Sequence, residues 1–156
     1  MSAASRKDEV AAFLSAVKSL GPWSRWKAKS HPDFAEAAAI VLVDDGSVEA
    51  GEMRMTAHLT REPPKFSFVL LWRRRPVFRL DVDLGNRHFN ASSRTSVDGT
   101  HWQAWPAFEA EADGRTLNHR AWLDEFCRRA HISADKPYRP PPSPGDEPEL
   151  PLWRSR

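Results

Sequence analysis

Three residues in the middle of the chain have the types and spacing for proton transfer: Asp81, His88 and His101. Arg79, Asn90 and Arg94 lie close to them in sequence. Metal-free cleavage of RNA needs one group to take the 2′-hydroxyl proton and another to protonate the leaving oxygen. Histidine does both near neutral pH. An arginine can stabilise the charge that builds on the phosphate. Two histidines returning on adjacent strands after a looping segment would form such a pair. The competing reading is that His88 and Asn90 only tie down a loop by hydrogen bonds. Asp81, His88 and His101 could also ligate a metal with one position left open. However, the chain has no HExxH, no CxxC and no closely paired histidines. Neither a metal nor a cofactor is therefore expected.

A second set of residues suits binding. Arg73, Arg74, Arg75, Arg87 and Arg94 are a basic group, and Trp102 and Trp105 follow as stacking platforms. Arg79 and Asn90 complete it. Arginine grips phosphate in bidentate fashion, and aromatic faces stack on unpaired bases. No Gly-rich phosphate loop, GxSxG elbow or zinc-finger spacing accompanies them.

These residues need a scaffold, and the period of the apolar residues describes one. Phe66, Phe68, Leu70 and Trp72 alternate with Ser67, Val69 and Leu71. Phe78, Leu80, Val82 and Leu84 alternate with Val77, Arg79, Asp81 and Asp83. A period of two means strands with one buried and one wetter face. The first strand is apolar on both faces, which places it centrally. Arg73-Arg74-Arg75-Pro76 is short enough for a hairpin connection, and Pro76 belongs at the start of its strand because it cannot donate. Met53, Met55, Ala57 and Leu59 face inward on an earlier strand, with Arg54, Thr56, His58 and Thr60 outward. Residues 35–44 carry four alanines that favour helix, but Ile40-Val41-Leu42-Val43 and the following turn favour strand. Thr100 to Trp105 reads as a further strand. Short turns between successive strands imply antiparallel pairing.

Helices flank this meander. Residues 5–20 place Val10, Phe13, Leu14 and Val17 on one stripe, with Ser5 as cap and Asp8 and Glu9 in the first turn. Residues 117–131 do the same with Trp122, Leu123, Phe126, Cys127 and Ala130. The expected fold is α+β: an antiparallel meander sheet of four to five strands between an N-terminal and a C-terminal helix. It occupies residues 1–134 as one domain. Seven of the 13 prolines fall between Pro137 and Pro151. Residues 135–156 are thus expected to be a proline-rich disordered tail, with Leu150, Leu152 and Trp153 available for docking.

Composition bounds the rest. A chain of 156 residues with 40% hydrophobic content can bury a core. One cysteine excludes an internal disulfide and fits a reducing cytoplasm. No apolar run reaches the roughly 20 residues of a membrane helix. The chain's 23 basic and 21 acidic residues are unevenly spread. Residues 65–105 hold seven of the basic (65, 73, 74, 75, 79, 87, 94) and three of the acidic (81, 83, 98), a local net charge of +4. A local positive field points to an anionic partner.

The run R-L-D (79–81), H-x-N (88–90) and G-x-H (99–101), following paired strands, resembles small uncharacterised proteins of bacteria and their mobile elements over about residues 36–105. The resemblance implies a phage, plasmid or defence context, and interest in His88, Asn90 and His101. It carries no activity with it. The leading expectation is a nucleic-acid-associated binding protein, for RNA or single-stranded DNA, with weak metal-independent phosphodiester cleavage as an added capacity. The rival is a non-catalytic protein-binding regulator, such as an antitoxin-like partner or an inhibitor of a nucleic-acid-acting machine. A small-molecule pocket in the curved sheet is the third reading.

Overall fold

The computed structural model describes residues 3–31, 33–61, 65–83, 87–90 and 95–142. No helix among them is long and apolar enough to cross a membrane. The fold is α+β with a mostly antiparallel sheet and two helices, as expected.

Four strands carry the period-two pattern and form the middle of the sheet: β3 (Phe34–Val43), β4 (Gly51–His58), β5 (Lys65–Trp72) and β6 (Arg75–Val82). They pair antiparallel in chain order. β5 is central, as its apolar character on both faces required. Residues Ala37, Met55, Phe68 and Leu80 sit in line on the buried face. The β5–β6 turn has two residues, Arg73 and Arg74, with φ of 51° and 65°. Left-handed φ at both positions is what a two-residue hairpin matched to strand twist demands, and Asn-Gly usually supplies it. Arg75 and Pro76 belong to β6. Pro76 stands opposite Leu71, where the register shifts, so its missing N–H breaks no regular ladder.

The sheet is wider than four to five strands, which corrects the strand count. It has nine, because short strands extend it on both sides. These are β1 (Lys18–Leu20), β2 (Lys27–Ala28), β9 (His101–Ala104), β10 (Glu111–Ala112) and β11 (Ile132–Ser133). The order is β10-β9-β6-β5-β4-β3-β1-β11, with β2 also on β3. β1 and β11 pair in parallel. A segment of two or three residues shows no period, so alternation cannot find it. β7 (Arg87–Asn90) and β8 (Thr95–Asp98) pair with each other as a separate two-stranded ribbon.

Helix α1 spans Ala3–Ser15, and α2 spans His119–Arg129. Both cover one face of the sheet. Phe13 of α1 stacks on Trp72 with ring centroids 5.6 Å apart. Phe126 of α2 packs among Phe68, Phe78 and Trp102. Asn118 caps α2, its side chain accepting from the Ala121 N–H at 2.8 Å. Arg128 and Arg129 in the last turn suit the helix dipole.

The first helix ends earlier than the apolar stripe predicts. Val17, read as core-facing, is 62% exposed. Lys18 explains the stop. It is fully buried, and its Nζ donates to the carbonyls of Phe13, Leu14 and Ala16 at 2.8, 3.0 and 2.6 Å. Those carbonyls close the end of the helix, where no further turn can satisfy them. Burial lowers the Lys18 ammonium to about pKa 8 from 10.5. Lys18→Met keeps the volume but removes the donor. Relief of the buried charge returns about 3 kcal/mol, since one pKa unit is worth about 1.4. Unpaired carbonyls cost roughly 1–3 kcal/mol each. Three of them outweigh the relief, and a net loss of about 2 kcal/mol is expected in urea melts at pH 7. The gap should widen from pH 8 towards 10.5. There the folded lysine has released its proton and the unfolded one has not.

The chain beyond β11 stays in contact with the fold as far as it is described. The Tyr138 hydroxyl and His119 Nδ1 lie 2.5 Å apart, and Arg120 sits over the Tyr138 ring. Trp26 Nε1 donates to the Arg139 carbonyl at 3.1 Å, and Arg139 Nε donates to the Trp23 carbonyl at 3.1 Å. The boundary drawn after residue 134 precedes these contacts. Leu150, Leu152 and Trp153 lie outside the described residues. Tyr138→Ala removes a ring and a hydrogen bond to a buried partner. It should cost about 2 kcal/mol, which for this chain length is a fall of roughly 4–8 °C in melting temperature. An unchanged melting curve would show that residues 138–139 merely rest on the surface.

Candidate functional site

Both helices lie on one face of the sheet, and among the described residues the strands β3 to β6 present a partly exposed surface on the other. Its side chains are the outward members of each alternating strand. β3 presents Glu36, Ile40 and Leu42. β4 presents Arg54, Thr56 and His58, and β5 presents Lys65, Ser67, Val69 and Leu71. The half-buried Arg79 and Asp81 of β6 close one side. A concavity of about 500 Å³ lies there. Its floor is Thr56, Ser67, Val69 and Leu71, and Phe34 and Lys29 stand on its other side. Phe34 meets the His58 ring edge-on at 4.6 Å, with His31 on its far side at 5.6 Å.

Four cations line this concavity (Lys29, Arg54, Lys65 and Arg79) against two carboxylates, Glu36 and Asp81. Each cation is oriented by an acid. Lys29 pairs with Glu36 at 3.4 Å, Arg54 with Glu52 at 2.7 Å, and Lys65 with buried Asp83 at 3.4 Å. Arg79 grips Asp81 through Nε and Nη2 at 2.6 and 3.0 Å. His58 Nδ1 accepts from the Thr60 N–H at 3.4 Å, so its Nε2 carries the ring proton. The arrangement offers hydrogen-bond donors held in ion pairs around a floor of two hydroxyls and two aliphatic side chains. Among the described residues no group of three metal-ligating side chains occurs.

The residues singled out for chemistry are partly assembled. Asp81 and His101 face each other across β6 and β9, with Asp81 Oδ2 3.6 Å from His101 Nε2. His101 Nδ1 lies 2.9 Å from the Gly99 carbonyl, which can only accept, so Nδ1 holds a proton. Arg79 is on the same face. His101 is only 1% exposed, so it supports the β6–β9 ladder from within. The backbone of His88 lies in β7, which pairs with β8, whereas β9 pairs with β6 and β10. The two histidine positions therefore do not occupy neighbouring strands. The side chains of Arg87, His88 and Asn90, and Arg94 as a whole, lie outside the described residues.

The binding set is divided as well. Trp102 is not a stacking platform: it is 3% exposed. Its ring stacks on Phe78 and Phe126 under the Arg129 guanidinium, and its Nε1 donates to Asp113 at 3.0 Å. Its register opposite Leu80 turns it to the helix side. Trp105 is half-buried against Phe108, with a buried Nε1 that has no hydrogen-bond partner among the described residues. Arg73 is committed to Glu9 at 2.6 Å and to Glu49, and lies over the Trp72 ring. Arg74 and Arg75 are exposed at the hairpin tip.

Sequence reading missed Lys29, Phe34 and Lys65 as parts of one surface. The signal was present in the outward residues of β4, which were assigned correctly. What was lacking was the register that brings Glu36, Thr56, Ser67 and Asp81 into one row across four strands. Comparison with protein-family models, with curated proteins and with solved structures returns no match.

Proposed function

We propose that this protein is a non-catalytic binding module that takes an extended segment of a protein partner on its open sheet face. The observation that carries the reading is the concavity itself. It sets four ion-paired cations around a floor of Thr56, Ser67, Val69 and Leu71, and Ile40 and Leu42 stand 60% and 55% exposed along the same face. Exposed aliphatic side chains in a row add area to bury, and the paired charged groups beside them set the orientation of a partner. Catalysis is left out because His101 is shut away from solvent and Arg79 is occupied by Asp81. The test is capture of a partner from host extract by the full chain. The comparison is Lys29→Glu combined with Ile40→Asp and Leu42→Asp, all exposed positions where folding should tolerate change. A partner retained after nuclease treatment and lost with the variant supports the reading. Capture that nuclease abolishes and the variant leaves intact overturns it.

A second reading, nucleic-acid binding, rests on Arg74 and Arg75. Arg74 occupies a left-handed position, which costs an ordinary residue roughly 1–2 kcal/mol, yet no glycine replaces it. With Arg73 engaged by acids, two phosphate contacts remain. Arg74→Ser with Arg75→Ser should then flatten the log-affinity versus log-salt slope for single strands by about 1.4. Equal slopes would mark the tip as a solvated turn.

A further inference from the structure

We infer that the groove formed by Trp23, Trp26 and His119 is a recognition site for a tyrosine-bearing, proline-rich segment of a protein partner, and that the chain's own Tyr138–Pro142 guards it as a displaceable ligand. The inference goes beyond the binding role proposed for the other sheet face and does not depend on it. What fits the groove is shown by what is seated in it. The Tyr138 ring lies 5.8 Å from the His119 ring, with the Arg120 guanidinium over it and its hydroxyl at His119 Nδ1. The next residue is gripped through its backbone. Trp26 Nε1 donates to the Arg139 carbonyl at 3.1 Å, and Arg139 Nε returns a bond to the Trp23 carbonyl. Pro141 and Pro142 are half-buried beyond it.

These contacts suit a polyproline-type strand. Proline fixes its own φ near −65° and biases the residue before it towards extended backbone. Arg139, Pro140 and Pro141 each precede a proline. Such a chain makes no internal hydrogen bonds, so its carbonyls stay free to accept, and it loses little entropy on docking. Aromatic-lined grooves are the surfaces that take such segments. The slot is built into the core: Trp26 meets His119 edge-on at 5.9 Å, and His119 rests against Phe66 at 5.0 Å. The strap, by contrast, hangs from an exposed tether, since Ser133 to Pro137 are all exposed. A rigid slot held by a tethered segment is a site that a better segment can take over. The Tyr138→Ala loss expected above corresponds to a roughly 30-fold preference for the docked strap. A short tether supplies an effective concentration on the order of millimolar. The same segment offered in trans should therefore bind the vacated groove with a Kd of about 30 μM, and the self-occupied groove roughly 30-fold more weakly.

The experiment titrates a synthetic Lys-Pro-Tyr-Arg-Pro-Pro-Pro peptide into the full chain carrying Tyr138→Ala and into the wild type. Binding is read by tryptophan fluorescence and by the His119 NMR signal. Binding to the variant in the tens of micromolar, a rise in its melting temperature at saturation, and at least roughly tenfold weaker binding to the wild type are expected. Trp26→Phe in the Tyr138→Ala background removes the N–H donor and should weaken binding roughly fivefold. Should Tyr138→Ala not fold alone, Arg139→Ala, at an exposed position, loosens the strap in its place with the same expected order of affinities. No binding to the loosened chain at about 1 mM peptide overturns the inference. So does equal affinity for variant and wild type, binding indifferent to Trp26→Phe, or equal binding of a peptide with alanine for tyrosine. A wild-type chain that forms dimers abolished by Tyr138→Ala would assign the groove to a second copy and overturn the partner assignment.

Discussion

Gly51→Val is expected to lower the melting temperature by about 6–12 °C, from a loss of at least roughly 3 kcal/mol. The cause is a close approach. A Cβ on Gly51 would stand 2.6 Å from the Leu71 carbonyl oxygen and 2.6 Å from Cζ of Phe13. Real carbon atoms do not approach so near, so something must move. The carbonyl belongs to β5, locked beside Glu52 in the β4 ladder. The Phe13 ring is fully buried and stacked on Trp72. Neither yields cheaply, and the route left is to lift α1 from the sheet. Gly51→Ala should cost about 2 kcal/mol by the same mechanism. Trimming the ring with Phe13→Leu in the Ala background should recover part of that loss, because the two changes share one contact. Additive losses in thermal melts would show that Phe13 is not the obstacle.

Acid should destabilise the protein between pH 6.5 and 4 by about 3 kcal/mol, through His119 alone. Burial pushes His119 down to about 4 from 6.5. Its ring lies within 5.0 Å of both Phe66 and Phe68, at the first residue of α2, where the dipole also opposes positive charge. In the folded state His119 is therefore neutral, and Nδ1 bonds the Tyr138 hydroxyl. As pH falls through 6.5 the unfolded chain takes up a proton that the folded chain refuses until about 4, so stability falls across that window. Glu125 is held at about 2 by Arg128, and Asp113 is held low mainly by Arg115, so their contributions start to be lost only at the acid end of this window, as pH falls through the unfolded values of 4.5 and 3.8. His119→Phe should flatten the stability profile between pH 4 and 6.5, and the wild-type imidazole should titrate near 4 by NMR. A His119 signal titrating at 6.5 would contradict the burial on which this rests.

Local pattern was enough to determine β3 to β6, the helical stripe of α2, and the α+β class. Strands of eight to ten residues and a helix with Trp122, Leu123 and Phe126 at helical spacing state their own period. Lys18 shows where such reading ends. Its sequence position continues a helix, but pairing with Val43 and Ile132 makes it a strand, and only the fold brings three carbonyls to its ammonium. Trp102 shows the same for the site. Whether an indole stacks on a ligand or on Phe126 depends on which face its strand turns to the helices, and a four-residue strand does not say. The basic run was legible as charge. That Arg73 answers Glu9, 64 positions away, was not. The open face is likewise a product of register, because its residues come from four strands and share no local motif. Periodicity fixes which way each side chain points along its own strand, and only tertiary pairing decides what stands beside it.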